Sequence, residues 1–293
     1  MRPELIRAIE LLASKDAARM DEAIGLLQST VYSFSMKVCG HREDAEDTMQ
    51  EVLFKAIPHL AKIDNPRAMA VWLYTVTRNQ CWMARRKSKF APQQTMTLGE
   101  LMPDNHEISM LLADPGLSPE DSAISHQDGR LLHQAVLTLP PKYRLVLVLH
   151  DMEDLDTTEI AAITSLKEGT VRVRLHRARL LVRRELATPC AEPAIRKFRK
   201  RGARKRQSAE CREMFANLSE YLDHRKGHLT CEEMQKHIED CAPCVAFIRD
   251  LERVVERCRK FTVSCAPESA EIIRKMLAKE YLRLIEGNAT EPS

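Results

Sequence analysis

Apolar residues recur at spacings of three and four along most of the chain, and this period constrains the fold more than any other feature of the sequence. Leu, Ala, Arg and Glu dominate these stretches, whereas aromatic residues make up only 5% of the sequence and there are nine glycines. Such a composition favours helices over sheets. We therefore predict an all-α chain, in which 293 residues and 44% hydrophobic content suffice for two or three small cores.

Prolines, glycines and charge runs divide the chain into five parts. Residues 1–90 and 129–187 carry helical patterns, and the proline-containing stretch 91–128 between them is a predicted flexible linker. Residues 188–208 hold two prolines and then a dense cationic run, which predicts a second, basic linker. The helical pattern returns in a tail, residues 209–293. The prediction is two small helical domains followed by a small helical tail.

The net charge of +3 hides a strong local imbalance. Arginine and lysine crowd into residues 78–89, 172–184 and 196–206, which indicates an anionic partner. The amino terminus has no signal-peptide pattern, and the longest aliphatic run, 145–149, is far too short to cross a bilayer, so we expect a cytoplasmic protein without membrane contact. The sequence offers no phosphate loop, nucleophile–base pair or open metal site, and we do not expect an enzyme.

Residues 155–186 have the pattern of a short helix, a brief turn and a longer helix, which is typical of helix-turn-helix DNA binding. The longer helix has one apolar stripe, formed by Val171, Leu175, Ala178 and Val182. Arginines and His176 occupy the rest of that helix. On periodicity alone, a solvated cationic face explains the pattern as well as DNA binding does.

The preceding run LTLPPKYRLVLVLHDMEDLDTTEIA and the run GTVRVRLHRAR resemble the promoter-recognition domain of extracytoplasmic-function (ECF) sigma factors. Two positions depart from the family: Ser165 stands where a turn glycine is usual, and Lys167 where proline is frequent. The resemblance implies contacts with the −35 promoter element, divided between phosphates and bases. The implied residues are Thr170, Val171, Arg172, Arg174 and Arg177.

The segment PRAMAVWLYTVTRNQCWMARRKSK (66–89) interleaves aromatic residues with cations, a pattern that suits unpaired DNA because bases can stack on aromatic or guanidinium faces. It resembles the sigma-factor helix that binds and melts the −10 element. We expect Trp72, Leu73 and Val76 to lie in the core instead. The implied DNA contacts are Tyr74, Thr77, Arg78, Asn79, Arg85 and Arg86.

The run HREDAEDTMQEVLFKAIPHL (41–60) resembles the ECF segment that grips the polymerase clamp. Its predicted apolar stripe consists of Ala45, Met49, Leu53 and Ala56. Acidic residues share another face, where a basic helical partner could meet them, although an ordinary solvated acidic face is the alternative. The implied contacts with core RNA polymerase are Asp44, Asp47, Gln50 and Glu51.

The tail contains a Cys/His cluster, in which Cys211 is followed by a His-x3-Cys-x2-Cys run from His237 to Cys241 and Cys244. Three thiolates and one imidazole suit tetrahedral zinc, and four protein ligands favour a structural site over a hydrolytic one. The pattern resembles the zinc-binding anti-sigma domain. Unmetallated cysteines remain the alternative, Cys231 is a rival fourth ligand, and the thiolates could also make the site oxidation-sensitive.

These segments together predict an ECF-type sigma factor that binds core RNA polymerase and promoter DNA, with a fused zinc-binding tail that regulates it in cis or recruits a separate regulator. A tethered tail acts at a millimolar effective concentration, so a weak interface suffices. The alternatives are a helix-turn-helix regulator that works without polymerase, and a zinc or thiol sensor whose DNA contacts are secondary.

Overall fold

The computed structural model describes residues 1–14, 19–60, 65–86, 101, 107–109, 112, 126–187, 241–264 and 267–288. Within these ranges the regular secondary structure is helical, which confirms the all-α prediction. None of the described helices is both long and apolar enough to span a membrane.

The first four helices are α1 (Pro3–Ala13), α2 (Met20–Cys39), α3 (Arg42–Leu60) and α4 (Pro66–Arg86). Next come α5 (His126–Thr138), α6 (Pro141–Leu147), a π-helical turn (Val148–Met152), α7 (Thr157–Thr164) and α8 (Glu168–Ala187). The tail contributes α9 (Ala242–Lys260) and α10 (Pro267–Asn288).

The described helices fall into two compact units. The first unit contains α1 to α4, the π-helical turn, α7 and α10, and the second contains α5, α6, α8 and α9. Each unit therefore combines helices that are far apart in the sequence. The five-part division predicted above marks changes in composition along the chain, and its boundaries stay a prediction.

The core of the first unit is built by α1 to α4, which bury an apolar face of each helix. On α3 the predicted stripe of Ala45, Met49, Leu53 and Ala56 is buried, at 0–1% exposure. Gly40 ends α2 in the left-handed region with φ of 85°, where a side chain would be strained. The side chain of Asn65 accepts hydrogen bonds from the backbone N–H groups of Arg67 and Ala68, and so caps the start of α4.

The last described helix, α10, packs against α2 and α3 in the first unit. It buries Ile273, Leu277 and Tyr281, which are spaced four residues apart on one face. The Tyr281 hydroxyl donates to the carbonyl of Leu12 in α1 at 2.5 Å. This combination of apolar burial and a buried hydrogen bond fixes the helix along the bundle.

In the second unit, α8 buries its predicted stripe of Val171, Leu175, Ala178 and Val182 completely. Helix α9 buries one face that includes Phe247, Leu251 and Cys258. The guanidinium of Arg183 donates to the Asp250 carboxylate at 2.5 Å and lies over the Phe247 ring, 4.6 Å from its centroid. A tail helix is thus joined to α8 by a specific polar contact.

Candidate nucleic-acid interface

Three polar residues of α4 lie on one face of the helix. Arg67, Tyr74 and Arg78 are separated by seven and four residues, so a helical period of 3.6 places them one above another. All three have partners in the segment from Glu153 to Ile163, which includes most of α7. Two of the predicted −10 contacts, Tyr74 and Arg78, are therefore in contact with another part of the chain.

Tyr74, a predicted −10 contact, is 3% exposed. Its hydroxyl donates to the Glu153 carboxylate at 2.9 Å, and its ring meets Phe34 edge-on with centroids 5.0 Å apart. Burial, together with the Glu153 carboxylate, raises the pKa of Tyr74 well above its ordinary value. The side chain is covered in this conformation, and its contact with DNA stays a prediction.

Glu153 is the centre of a buried polar cluster that sequence reasoning missed. Its carboxylate accepts hydrogen bonds from the Tyr74 hydroxyl and, at 2.7 Å, from the Lys37 ammonium. The guanidinium of Arg2 lies 3.3 Å from the same carboxylate. Lys37 and Glu153 are 0% and 1% exposed. The only sequence signal is the acidic run around residue 153, because Lys37 lies 116 residues away.

Arg67 binds both carboxylates at the start of α7. Its guanidinium donates to Glu159 at 2.6 Å and to Asp156 at 3.1 Å. Hydrogen bonding to Glu159 raises the pKa of Arg67. Three turns further along α4, Arg78 donates to the backbone carbonyl of Ile163 near the end of α7, and burial lowers the pKa of Arg78.

The other predicted −10 residues differ in exposure. Asn79 is exposed and accepts a hydrogen bond from Arg78 at 3.1 Å, whereas Thr77 is 1% exposed and donates to the Leu73 carbonyl at 2.7 Å. The side chains of Arg85 and Arg86 lie outside the described residues. Of the three residues expected in the core, Leu73 is buried, while Trp72 and Val76 are half-buried.

The predicted −35 residues lie at the start of α8. Thr170 and Arg172 are exposed, Arg174 and Arg177 are half-buried, and Val171 is fully buried in the apolar stripe. Arg177 donates to the Tyr143 hydroxyl at 3.3 Å. Thr170 and the three arginines are therefore at least partly accessible to solvent, whereas Val171 packs in the core.

Two surprises concern α8 and the turn before it. His176, Arg179 and Arg183 are buried, so the cationic face is narrower than the sequence predicts. Ser165 ends α7 in the left-handed region, with φ of 57°. That backbone conformation explains why glycine would suit the position where the sequence departs from the family.

The predicted polymerase-binding residues lie on α3. Asp47 and Glu51 are exposed, whereas Asp44 and Gln50 are half-buried. Asp47, Gln50 and Glu51 line an open depression together with Phe54 and Lys55. Glu51 pairs with Lys55 at 2.5 Å and accepts a hydrogen bond from Gln80 of α4. Asp47 differs from Glu51, because it is exposed and forms no ion pair within the part of the chain that the structure describes.

Comparison with known proteins identifies the family of the two segments that carry the predicted DNA contacts. The family model for sigma-70 region 2 matches residues 24–90, and the model for sigma-70 region 4 matches residues 129–182. The ECF RNA polymerase sigma factor SigE of Mycolicibacterium smegmatis is 32% identical over 189 residues, which cover 62% of this chain and 68% of that protein. The chain belongs to the ECF family of sigma factors.

Other sigma factors match over similar lengths. The ECF sigma factor SigW of Bacillus subtilis is 29% identical over 184 residues, which cover 61% of this chain and 95% of SigW. The solved structure of the sigma factor RpoE with the anti-sigma factor NepR from Bartonella quintana covers 56% of this chain and 94% of that chain, at 20% identity and a TM-score of 0.39. This last likeness is too low to support a shared arrangement.

As an ECF sigma factor, the protein acts in transcription initiation, together with core RNA polymerase and promoter DNA, and it is not an enzyme. The family models match residues 24–90 and 129–182, so neither model includes the tail.

Two of the four predicted zinc ligands of this sigma factor are described. Cys241 and Cys244 lie at the start of α9, where the N–H groups of Cys244 and Val245 donate to the Cys241 carbonyl at 3.0 and 3.1 Å. Cys241 is half-buried and Cys244 is 1% exposed. Cys211 and His237 lie outside the described residues, and the described residues alone contain no group of three or more potential ligands. The zinc site stays a prediction.

Proposed function

We propose that the tail of this sigma factor restrains it in cis, by packing on the helices that meet polymerase and promoter DNA. The observation that carries the proposal is the position of α10, which packs against α2 and against α3, the helix with the predicted polymerase contacts Asp44, Asp47, Gln50 and Glu51. Because the tail is tethered, a modest interface is enough to hold it there.

The contacts of α10 are specific enough for such a role. Leu277 and Tyr281 are 1% and 2% exposed, Gln28 of α2 donates to the Ala270 carbonyl at 3.0 Å, and Arg274 pairs with Asp21 at 3.2 Å. Burial of two large side chains contributes about 3–6 kcal/mol of the contact. The tail also packs on the DNA-reading helix α8 through the contact between Arg183 and Asp250.

In the restrained sigma factor, the proposed −35 contacts are Thr170, Arg172, Arg174 and Arg177, and the proposed −10 contacts lie on α4. Release of the tail would let α3 bind core polymerase and let both DNA surfaces engage a promoter. The affinity for DNA should fall steeply with salt, because arginine contacts to phosphates release counterions.

Run-off transcription with core polymerase tests the restraint in the full chain. Leu277→Asp places a charge in the buried contact, whereas Met276→Asp places the same charge on the exposed side of the same helix, since Met276 is 47% exposed. We expect Leu277→Asp to transcribe more than the wild type, and Met276→Asp to match the wild type. Equal activity of all three proteins would refute restraint by α10, and no activity in any of them would count against initiation with that polymerase.

We further propose that zinc, bound by Cys211, His237, Cys241 and Cys244, stabilises the tail. The backbone conformation supports this proposal, because the turn at Cys241–Cys244 brings the two cysteines to the same end of α9. Metal analysis of the purified chain should give one zinc per molecule. Cys241→Ala should abolish binding, whereas Cys258→Ala, a buried cysteine on the same helix, should retain it. Full zinc content in Cys241→Ala would contradict the ligand set.

A further inference from the structure

We infer that the segment from Glu153 to Ile163 is a built-in competitor of promoter DNA for the face of α4. This inference rests on the proposed use of α4 for the −10 element, and it does not involve the tail. Two predicted −10 contacts, Tyr74 and Arg78, are engaged by oxygen acceptors of this segment, and so is Arg67, which lies on the same face of α4.

The contact at Arg67 shows how the segment substitutes for a nucleic acid. Asp156 and Glu159 form a capping box, in which Asp156 Oδ1 accepts from the Glu159 N–H at 2.7 Å and Glu159 Oε2 accepts from the Asp156 N–H at 3.0 Å. Each carboxylate thus uses one oxygen for the helix cap. The remaining oxygens, Asp156 Oδ2 and Glu159 Oε1, both bind Arg67. The guanidinium fork therefore holds two anionic oxygens, as it would on a phosphate.

The contacts further along α4 continue this pattern. Tyr74 donates to the Glu153 carboxylate, and Arg78 donates to the Ile163 carbonyl. A DNA strand offers the same two kinds of acceptor, phosphate oxygens and base carbonyls. Every one of these donors would have to leave the segment before it could bind DNA. The two ligands are therefore mutually exclusive on this face.

The contact between this segment and α4 can open reversibly at the end near Arg67. The Arg67 side chain is 63% exposed, so its ion pairs are screened by solvent and salt, whereas Glu153 is 1% exposed. Opening should begin at Arg67 and α7, while Glu153 stays in the core. Two carboxylates, those of Asp156 and Glu159, therefore set how often the face of α4 is uncovered.

A double substitution can weaken this contact without removing the helix cap. Asn is as good an N-cap as Asp, and Gln replaces Glu in a capping box, so Asp156→Asn with Glu159→Gln keeps α7 capped and removes both charges from Arg67. The matched control is Glu22→Gln with Glu46→Gln. It changes the net charge equally and releases Arg7 and Arg42 from exposed ion pairs elsewhere in the same unit.

The measurement is the affinity of each full chain for a short, random-sequence, fluorescein-labelled single-stranded DNA, by fluorescence anisotropy at low salt. We expect the double variant at Asp156 and Glu159 to bind about three- to tenfold more tightly than the control pair. Equal affinities of the two double variants would overturn the inference. Because this assay contains no polymerase, its result is separate from the transcription assay that tests the proposed function.

A second measurement uses the unaltered chain and keeps the test decisive if the variant does not fold. Hydrogen exchange of the backbone amides in α7 is followed with and without saturating single-stranded DNA. If DNA displaces the segment, exchange in 157–164 becomes faster on binding. Unchanged or slower exchange there, with DNA demonstrably bound, would show that α7 and DNA do not compete.

Discussion

Lys37 and Glu153 form an ion pair of 2.7 Å in which both charged side chains are withdrawn almost completely from solvent. Such a pair has to be compensated by further polar contacts, and Glu153 has them in Tyr74 and Arg2. Lys37 also lies over the Phe261 ring, 5.9 Å from its centroid. The helix bundle and the residues just before the helix-turn-helix segment are thus joined by buried charge as well as by apolar packing.

Removing one partner of this pair should destabilise the first unit strongly. We expect Lys37→Met to lower the free energy of unfolding by about 3–5 kcal/mol, because the Glu153 carboxylate is left buried without its cation. Adding Glu153→Gln should recover part of that loss, since the glutamine is neutral and still accepts hydrogen bonds. Urea unfolding of the single and double variants measures both effects. Lys55→Met, at an exposed pair, is the control and should change little.

Stability should fall at alkaline pH because of Tyr74. Its pKa is raised in the folded protein, so the unfolded chain loses this proton first, near pH 10, and deprotonation then favours unfolding. The contribution is complete below about pH 10 and decreases as the pH rises above it. Tyr74→Phe should flatten the fall in the free energy of unfolding between pH 9 and pH 11. An unchanged slope would mean that Tyr74 is not held neutral by its surroundings.

Asp47 should be the most sensitive of the proposed polymerase contacts. It is exposed at the depression on α3, so Asp47→Lys reverses a charge on the surface with little effect on the fold. With the tail released by Leu277→Asp, we expect the added Asp47→Lys to lower the yield of a core-polymerase pull-down at least severalfold. Glu22→Lys on α2 introduces the same change away from this surface and should leave the pull-down intact. Loss in both variants would indicate a general effect of net charge.

Substitutions of Arg172 and Arg183, two arginines of α8, should have different effects: the first on DNA binding and the second on packing. Arg172 is exposed on α8, so Arg172→Gln should weaken binding to promoter duplex and reduce the salt slope by about one. Arg183 is buried against α9, so Arg183→Gln should lower the thermal stability of the second unit instead. Anisotropy titrations over a salt series, combined with thermal unfolding, distinguish the two outcomes. A reduced salt slope in Arg183→Gln would contradict its assignment to packing.

Local periodicity predicted what depends on local structure. The stripe from Val171 to Val182 and the stripe from Ala45 to Ala56 are both buried as expected, because each is a property of a single helix. The family resemblance located the two segments that the family models match. It carried no information on which side chains the rest of the chain covers.

What the sequence did not reveal depends on contacts between distant residues. In the sequence Arg183 looks like the exposed Arg172, and only the folded chain places Asp250, 67 residues later, beside it. Tyr74 is amphipathic, and neither the helical period nor the composition of the sequence shows that its hydroxyl donates a hydrogen bond to Glu153 in the core. Buried polar partners of this kind leave no repeat in the sequence, so only the folded chain identifies them.

Because α10 lies far along the sequence from the helices that it contacts, the ribosome makes it well after them. Helix α4 ends at Arg86, whereas α10 begins at Pro267. At about 5–20 residues per second, the ribosome needs about 10 to 40 s to make the chain between them. During that interval α2 and α3 have been made and α10 has not. Under the restraint proposed above, the pace of translation therefore sets how many copies can meet polymerase before α10 has been made.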